Sequence, residues 1–347
     1  MASTKGTDKV LEKIQESLNN KNYYEAHQMY RTVCRRLIKQ KQYDKAIDVL
    51  YSGAQSLLEH KQSGSGTDLS LYLIDAYLAE ELSVNDESRD RIIKLLELFP
   101  HDEPGRKRFI DAAISWSIKT GDSPAGDPAL HHYVAELLWK DKIYQEAEPH
   151  FLAGTSASSA SYGKMLAEWS SQDDPSKRGA YLARAVLQYL CLRSIRDAKI
   201  AFDSFVAEIL SKNPGLATDT VSYRPTLTGD SIEITIYDNA PLINFLQLLI
   251  LMVQRDAPDL FTALRNKYKD CLAIEPSFED LLNRIGEVFF NIQVQRPQQL
   301  SFLQDLMSSL FSQPGVPGGS RTSSSTIVGG TSSTSANIKA NQSSELD

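Results

Sequence analysis

The chain has 347 residues, with 37 Lys and Arg against 44 Asp and Glu, a net charge of −7. That balance argues against a general nucleic-acid binder, and the length fits two compact units or one elongated one. Hydrophobic residues make up 41% of the chain, enough for a sizeable core, while Cys34, Cys191 and Cys271 are too scattered for a disulfide framework or a CxxC metal site.

Helical periodicity begins at once. Val10, Ile14 and Leu18 are spaced i, i+4, i+8. Asn22-Tyr23-Tyr24-Glu25-Ala26 then opens a pattern that returns as Gln42-Tyr43-Asp44-Lys45-Ala46 and Ile143-Tyr144-Gln145-Glu146-Ala147. Ser194-Ile195-Arg196-Asp197-Ala198 is a degenerate copy. A large residue follows each alanine by four: Tyr30, Leu50, Phe151 and Phe202. A small alanine lets two helices approach and the large residue fills the gap, the second-helix pattern of a tetratricopeptide-like hairpin. The spacing is irregular. The fold expected is all-α, an irregular TPR-like α-solenoid of antiparallel helix pairs.

Gly64-Ser65-Gly66-Thr67-Asp68 lacks the Gly-Lys-Ser/Thr ending of a phosphate loop and follows a helical stretch. It reads as a helix C-cap followed by an N-cap at Thr67 or Asp68. Further amphipathic stripes are Leu69, Tyr72, Leu73 and Ala76, then Ile92, Leu95, Leu96 and Phe99, then Phe109, Ala113, Trp116 and Ser117. Pro100, Pro104-Gly105, Gly121–Pro128 and Asp173–Ser176 punctuate them.

Ser231–Tyr237 changes the period to two, with Ile232, Ile234 and Ile236 on one face. With Thr228-Gly229-Asp230 as the turn and Val221–Leu227 as its partner strand, one β-hairpin at about 221–237 interrupts the helices. An isolated hairpin is marginal in water, so it must lie against something. Pro241–Val253 is apolar nearly all round, either a central solenoid helix or a groove wall that a partner completes. The final 36 residues, 312–347, hold ten serines, five glycines and no aromatic residue, and are expected to be a disordered tail.

Candidate chemistry is sparse. The six histidines form no HExxH or Cys/His spacing, there is no GxSxG, and the paired carboxylates Glu80-Glu81 and Asp173-Asp174 sit in polar stretches. No catalytic residue, cofactor or metal is expected. Charge is uneven: residues 1–60 hold ten basic and seven acidic groups, residues 61–105 four basic and ten acidic. Adjacent basic and acidic helices read either as a docking surface or as solvated faces. The first 20 residues contain no secretory h-region, and the longest apolar run, Leu248–Val253, is far short of the ~20 residues of a membrane span, so a cytosolic protein is expected.

Several segments resemble the Golgi to ER traffic protein 4 family, adaptors of the tail-anchored-protein targeting pathway: Asn22–Thr32, Lys61–Leu73, Gly126–His132, Tyr144–Phe151, Pro241–Leu249 and Phe302–Leu310. Their order along one chain, from about Lys9 to Phe311, carries the likeness. The resemblance implies a non-enzymatic α-solenoid with an inserted hairpin. Its N-terminal half (1–153) would dock the targeting ATPase, and its C-terminal half (154–311) a ubiquitin-like-domain protein. In animals a BAG-family scaffold would join them. No nucleic acid and no membrane insertion are implied. ATPase-docking positions fall on Lys9, Tyr23, Lys39 and Asp68. Position 39 carries lysine where a relative has arginine, so that contact loses the bidentate fork. The ubiquitin-like partner would meet Ile232, Ile234 and Ile236 with Leu242, Phe245, Leu246 and Leu249. The competing expectation is a helical-repeat subunit of a proteasome-lid or signalosome-type assembly. Such subunits usually close with a winged-helix domain, for which Phe302–Phe311 and the tail leave no room.

Overall fold

A computed structural model describes residues 2–223, 232–237, 239–255 and 257–292. The expected hairpin turn, the strand residues 224–227, the Phe302–Leu310 segment and the tail lie outside them. The described chain runs through α1 (Ala2–Asn19), α2 (Tyr23–Lys39), α3 (Tyr43–Glu59), α4 (Ser63–Glu80), α5 (Asp86–Leu98), α6 (Pro104–Thr120) and α7 (Pro128–Lys140). It continues with α8 (Tyr144–Leu152), α9 (Ser156–Ser170), α10 (Arg178–Cys191) and α11 (Ile195–Lys212). Strands β1 (Ala217–Tyr223) and β2 (Ile232–Tyr237) precede α12 (Pro241–Met252), α13 (Pro258–Lys267), α14 (Lys269–Leu272) and α15 (Ser277–Phe290). Successive helices pair, and α2–α4–α6 and α3–α5–α7 pack as two layers. This is the expected α-solenoid.

One turn recurs. Lys21, Lys41, Lys61, Lys142 and Arg193 all have left-handed backbone, with φ from 57° to 64°. In each, the N–H of the following residue donates to a carbonyl five positions back, for example Gln42 to Leu37 at 2.9 Å and Ser194 to Tyr189 at 2.9 Å. This closure satisfies the orphan carbonyls of the preceding helix. The next helix starts one residue later, and its fourth residue from the N-cap is small and buried: Ala26, Ala46, Ala147 and Ala198 are all 0% exposed. The sequence repeat is therefore a structural unit.

The turn after Lys61 corrects the reading of the glycine segment. Gln62, not Thr67 or Asp68, is the N-cap, and Ser63 through Asp68 are already helical. Gly66 takes the place that alanine holds in the other copies, its N–H donating to the Gln62 carbonyl at 2.8 Å. A Cβ there would stand 2.6 Å from Leu58 Cγ and Cδ2, so α3 and α4 approach more closely than alanine allows.

Polar locks tie the solenoid internally. Gly126 needs its φ of +105°, a conformation side chains resist, to turn Asp127 into position. Asp127 caps α7 through the Leu130 N–H at 2.8 Å and takes both Arg89 Nε (2.9 Å) and Nη2 (3.2 Å) from α5. Farther along, buried Glu148 of α8 accepts from Tyr162 of α9 at 2.7 Å and from Arg184 Nε of α10 at 2.8 Å.

The hairpin starts four residues earlier than the sequence indicates. β1 begins at Ala217 and pairs antiparallel with β2, Val221 opposite Ile234 and Asp219 opposite Ile236. An irregularity between Ala217 and Asp219 shifts the register by one residue. Polar Ala-Thr-Asp-Thr carries no alternation that would have marked it.

Candidate protein-docking sites

The N-terminal candidates spread over three helices. Lys9 is exposed on α1. Tyr23 opens α2, its ring centroid 5.2 Å from that of His60, and Lys39 closes the same helix. Sixteen residues of helix separate Tyr23 from Lys39, about 24 Å along the axis and about 160° around it, so the two do not line one pocket. Asp68 lies in the second turn of α4. Its two oxygens are already engaged, Oδ2 by His27 Nε2 at 2.8 Å and Oδ1 by Arg31 Nη1 at 2.5 Å. Gln28 Nε2 lies 3.3 Å from His27 Nδ1, which leaves Nε2 as the donating nitrogen toward Asp68. His27 and Arg31 escaped the sequence reading because they meet Asp68 across 41 and 37 residues. Only the i, i+4 placement of His27 and Arg31 on one face of α2 was visible.

The C-terminal candidates divide in two. In the hairpin, Val221 is 47% and Ile236 36% exposed, while Ile234 is half-buried. The residue that enters the core is Tyr237, of the opposite parity. Its N–H donates to Asn244 Oδ1 at 3.0 Å and its carbonyl accepts from Asn244 Nδ2 at 2.9 Å. This clasp holds the ribbon to α12 and leaves part of its apolar side in water. Of Ile232, only its backbone place in β2, opposite Tyr223, belongs to the described structure.

Leu242, Phe245, Leu246 and Leu249 of α12 are all buried. They face α10, α11, α13 and α14 of the chain itself, and Phe245 packs its ring 5.6 Å from that of Tyr268. Gly179 of α10 is required beside them, since a Cβ there would stand 2.7 Å from Leu242 Cβ. α12 is thus a central helix in this chain, and a groove-wall role would require displacing its neighbours. A cleft of about 470 Å³ does open at its N-terminal end, lined by Pro175, Gly179, Pro241, Cys271 and Ile274 among others. Nothing local in the sequence marked that cleft.

Among the described residues no group of three or more His, Cys, Asp or Glu is placed to hold a metal ion. Burial pushes the Cys34 and Cys191 thiols up to about 12, which keeps them unreactive. No described helix is long and apolar enough to cross a membrane.

Paired antiparallel helices, recurring backbone-closed turns and one clasped hairpin define a helical-repeat protein of the α-solenoid class. The sequence profile of the Golgi to ER traffic protein 4 family matches residues 40–311, and the chain belongs to that family. It is 34% identical to Golgi to ER traffic protein 4 of Aspergillus fumigatus over 331 residues, covering 92% of this chain and 93% of the relative. Against the human homolog the identity is 33% over 307 residues, covering 88% and 86%. The crystal structure of C. therm. Get4 superposes with a TM-score of 0.76 at 36% identity, covering 88% of this chain and 96% of that one.

Proposed function

We propose that the chain is a non-enzymatic cytosolic adaptor in the Golgi to ER traffic protein 4 pathway. It joins a tail-anchored-protein targeting ATPase to a ubiquitin-like-domain protein, so that clients pass from one to the other. The ATPase docks on the face that carries Lys9, Tyr23, Lys39 and Asp68, within residues 1–153. The ubiquitin-like protein docks on the hairpin, within residues 154–311. This boundary divides binding roles only, because α8 packs on α9 across it.

Family membership supports the pathway. The observation that carries the two-site reading is the hairpin, a two-stranded ribbon clasped at Tyr237 with Val221 47% exposed on its apolar side. Apolar groups in that state gain from burial by a partner. The proposed N-terminal face is charged and lies at the other end of the helical array. Two partners can therefore sit on the chain together.

Mixing the purified chain with the targeting ATPase and the ubiquitin-like protein, and weighing the products by light scattering, tests this. A ternary complex is expected, with each partner's affinity insensitive to the other. Mutual exclusion would refute separate sites.

A further inference from the structure

The tyrosine that opens α2 recurs at the head of α8, and the two are held differently. Each ring leans on the end of the helix that follows its own. Tyr144 lies 5.3 Å from Trp169 of α9, centroid to centroid, and 14° from parallel. Tyr23 lies 5.2 Å from His60, the residue that caps α3, at 44°. Their hydroxyls have opposite fates. Tyr144 is buried, and its hydroxyl donates to Glu168 Oε1 at 2.9 Å and accepts from Gln172 Nε2 at 3.0 Å. Tyr23 is half-buried, and its hydroxyl makes no hydrogen bond among the described residues.

His60 is itself fixed. Its main-chain N–H donates to the Ser56 carbonyl at 3.2 Å, and its Nδ1 donates to the same oxygen at 2.7 Å. Its own carbonyl accepts from Gln62 Nε2 at 3.2 Å. The imidazole therefore stands as an anchored wall beside a phenol that no polar contact restrains.

We propose that His60 is a positioning residue: it braces the Tyr23 ring so that the free hydroxyl meets the ATPase already oriented. This rests on the reading that Tyr23 belongs to the ATPase-docking face. A half-exposed side chain without a brace samples several rotamers, and freezing them on association costs affinity. A ring held beforehand has lost that freedom on folding. The contact is between two aromatic faces and edges, so position 60 needs a flat ring and not a charge. Trp169 supplies such a ring to Tyr144, where the hydroxyl is tied down as well. At Tyr23 the ring is held and the hydroxyl is left for a hydrogen-bonding group of the partner.

A double-mutant cycle tests this, read by calorimetric titration of the targeting ATPase. Tyr23→Ala should weaken binding about ten-fold, and His60→Ala about three- to five-fold. The double variant should bind no more weakly than Tyr23→Ala, because the brace has nothing left to hold. His60→Phe, which keeps a ring, should stay within about two-fold of the parent. Additive losses in the double variant would show that His60 meets the partner by itself, and overturn the brace. So would equal losses for His60→Phe and His60→Ala. If Tyr23→Ala weakens binding and His60→Ala does not, the docking face stands and only the brace is wrong. If Tyr23→Ala is silent, the assignment of Tyr23 to the docking face falls, and the brace with it. A readout without partner is aromatic-carbon NMR relaxation of Tyr23 in the free chain. The ring should be ordered in the parent and in His60→Phe, and looser in His60→Ala. Equal order in all three overturns the proposal.

Discussion

The Nδ1 atoms of His131 and His150 lie 2.8 Å apart at the α7–α8 contact. His131 Nε2 is 2.9 Å from the Ala125 carbonyl, to which it donates, so its Nδ1 accepts and His150 Nδ1 carries the one shared proton. Burial is the main force holding both rings below the ordinary histidine range, His150 down to about 3. The folded state keeps the pair neutral, whereas the unfolded chain protonates near pH 6.5. Stability is therefore complete above pH 6.5 and falls as pH drops from there toward 3. For His150 alone the loss at pH 5 is about 2 kcal/mol. Urea unfolding at pH 7.5 and 5 should show that fall in the parent, and a much smaller one in His150→Leu. A parallel decline in both would assign the effect to carboxylates elsewhere.

Charge reversal of Lys9 and Lys39 to glutamate should weaken ATPase binding about ten-fold and flatten its salt dependence. Both side chains are exposed, so melting temperature should not move, and the ubiquitin-like partner should bind as before. Loss of both partners with an intact circular dichroism spectrum would contradict two separate faces.

Val221→Asp should cost the ubiquitin-like partner about ten-fold in affinity with little change in stability, because Val221 is half exposed in the free chain. Asn244→Leu should behave differently. It removes both clasp hydrogen bonds at Tyr237, so stability should drop by about 1–3 kcal/mol together with binding. Chemical denaturation and titration on the same two proteins separate the exposed contact from its anchor.

Gly163 of α9 marks a helix crossing where backbone meets backbone. A Cβ there would stand 2.3 Å from the Ala201 carbonyl oxygen and 3.1 Å from Phe205 N, both backbone. Neither can rotate away, so Gly163→Ala must push α9 off α11. A loss of about 1–3 kcal/mol is expected in a denaturant titration, although alanine is the better helix former. A gain in stability would mean that the crossing is slack.

Much of the helical array was legible because the Tyr-x-x-Ala copies encode a local event, a helix start against its predecessor. The copy at Gly66 was not, since glycine and serine also read as a loop, and only the distance to Leu58 explains why alanine was excluded. The hairpin was visible from Ile232, Ile234 and Ile236. Its register was not, because Ala217–Thr220 lacks the apolar alternation that marks β2 and is placed by its pairing with that strand. That Leu242, Phe245, Leu246 and Leu249 need covering followed from composition, but that the chain itself buries them, where a partner was expected to meet them, depends on contacts over 60 residues away, such as Gly179. The engagement of Asp68 by His27 and Arg31 is of the same long-range kind.

The five turns centred on Lys21, Lys41, Lys61, Lys142 and Arg193 are closed by main-chain hydrogen bonds alone. Their side chains therefore contribute nothing to the closure and carry a left-handed backbone that any β-carbon resists by about 1 kcal/mol. Lys41→Gly should accordingly raise unfolding free energy by about 0.5–1 kcal/mol, read from a urea midpoint. The same independence makes these corners the points where the chain tolerates change. At Lys21, Lys41 and Lys61 a residue can be exchanged, labelled with a dye or extended by a tag without touching either packed layer, whereas Lys142 is ion-paired to Glu168 of α9; the corners of successive helices alternate between the two rims of the array. Probes placed at Lys21 and Lys61 would thus report from one rim and a probe at Lys41 from the other, giving a ruler for how the array bends when a partner docks.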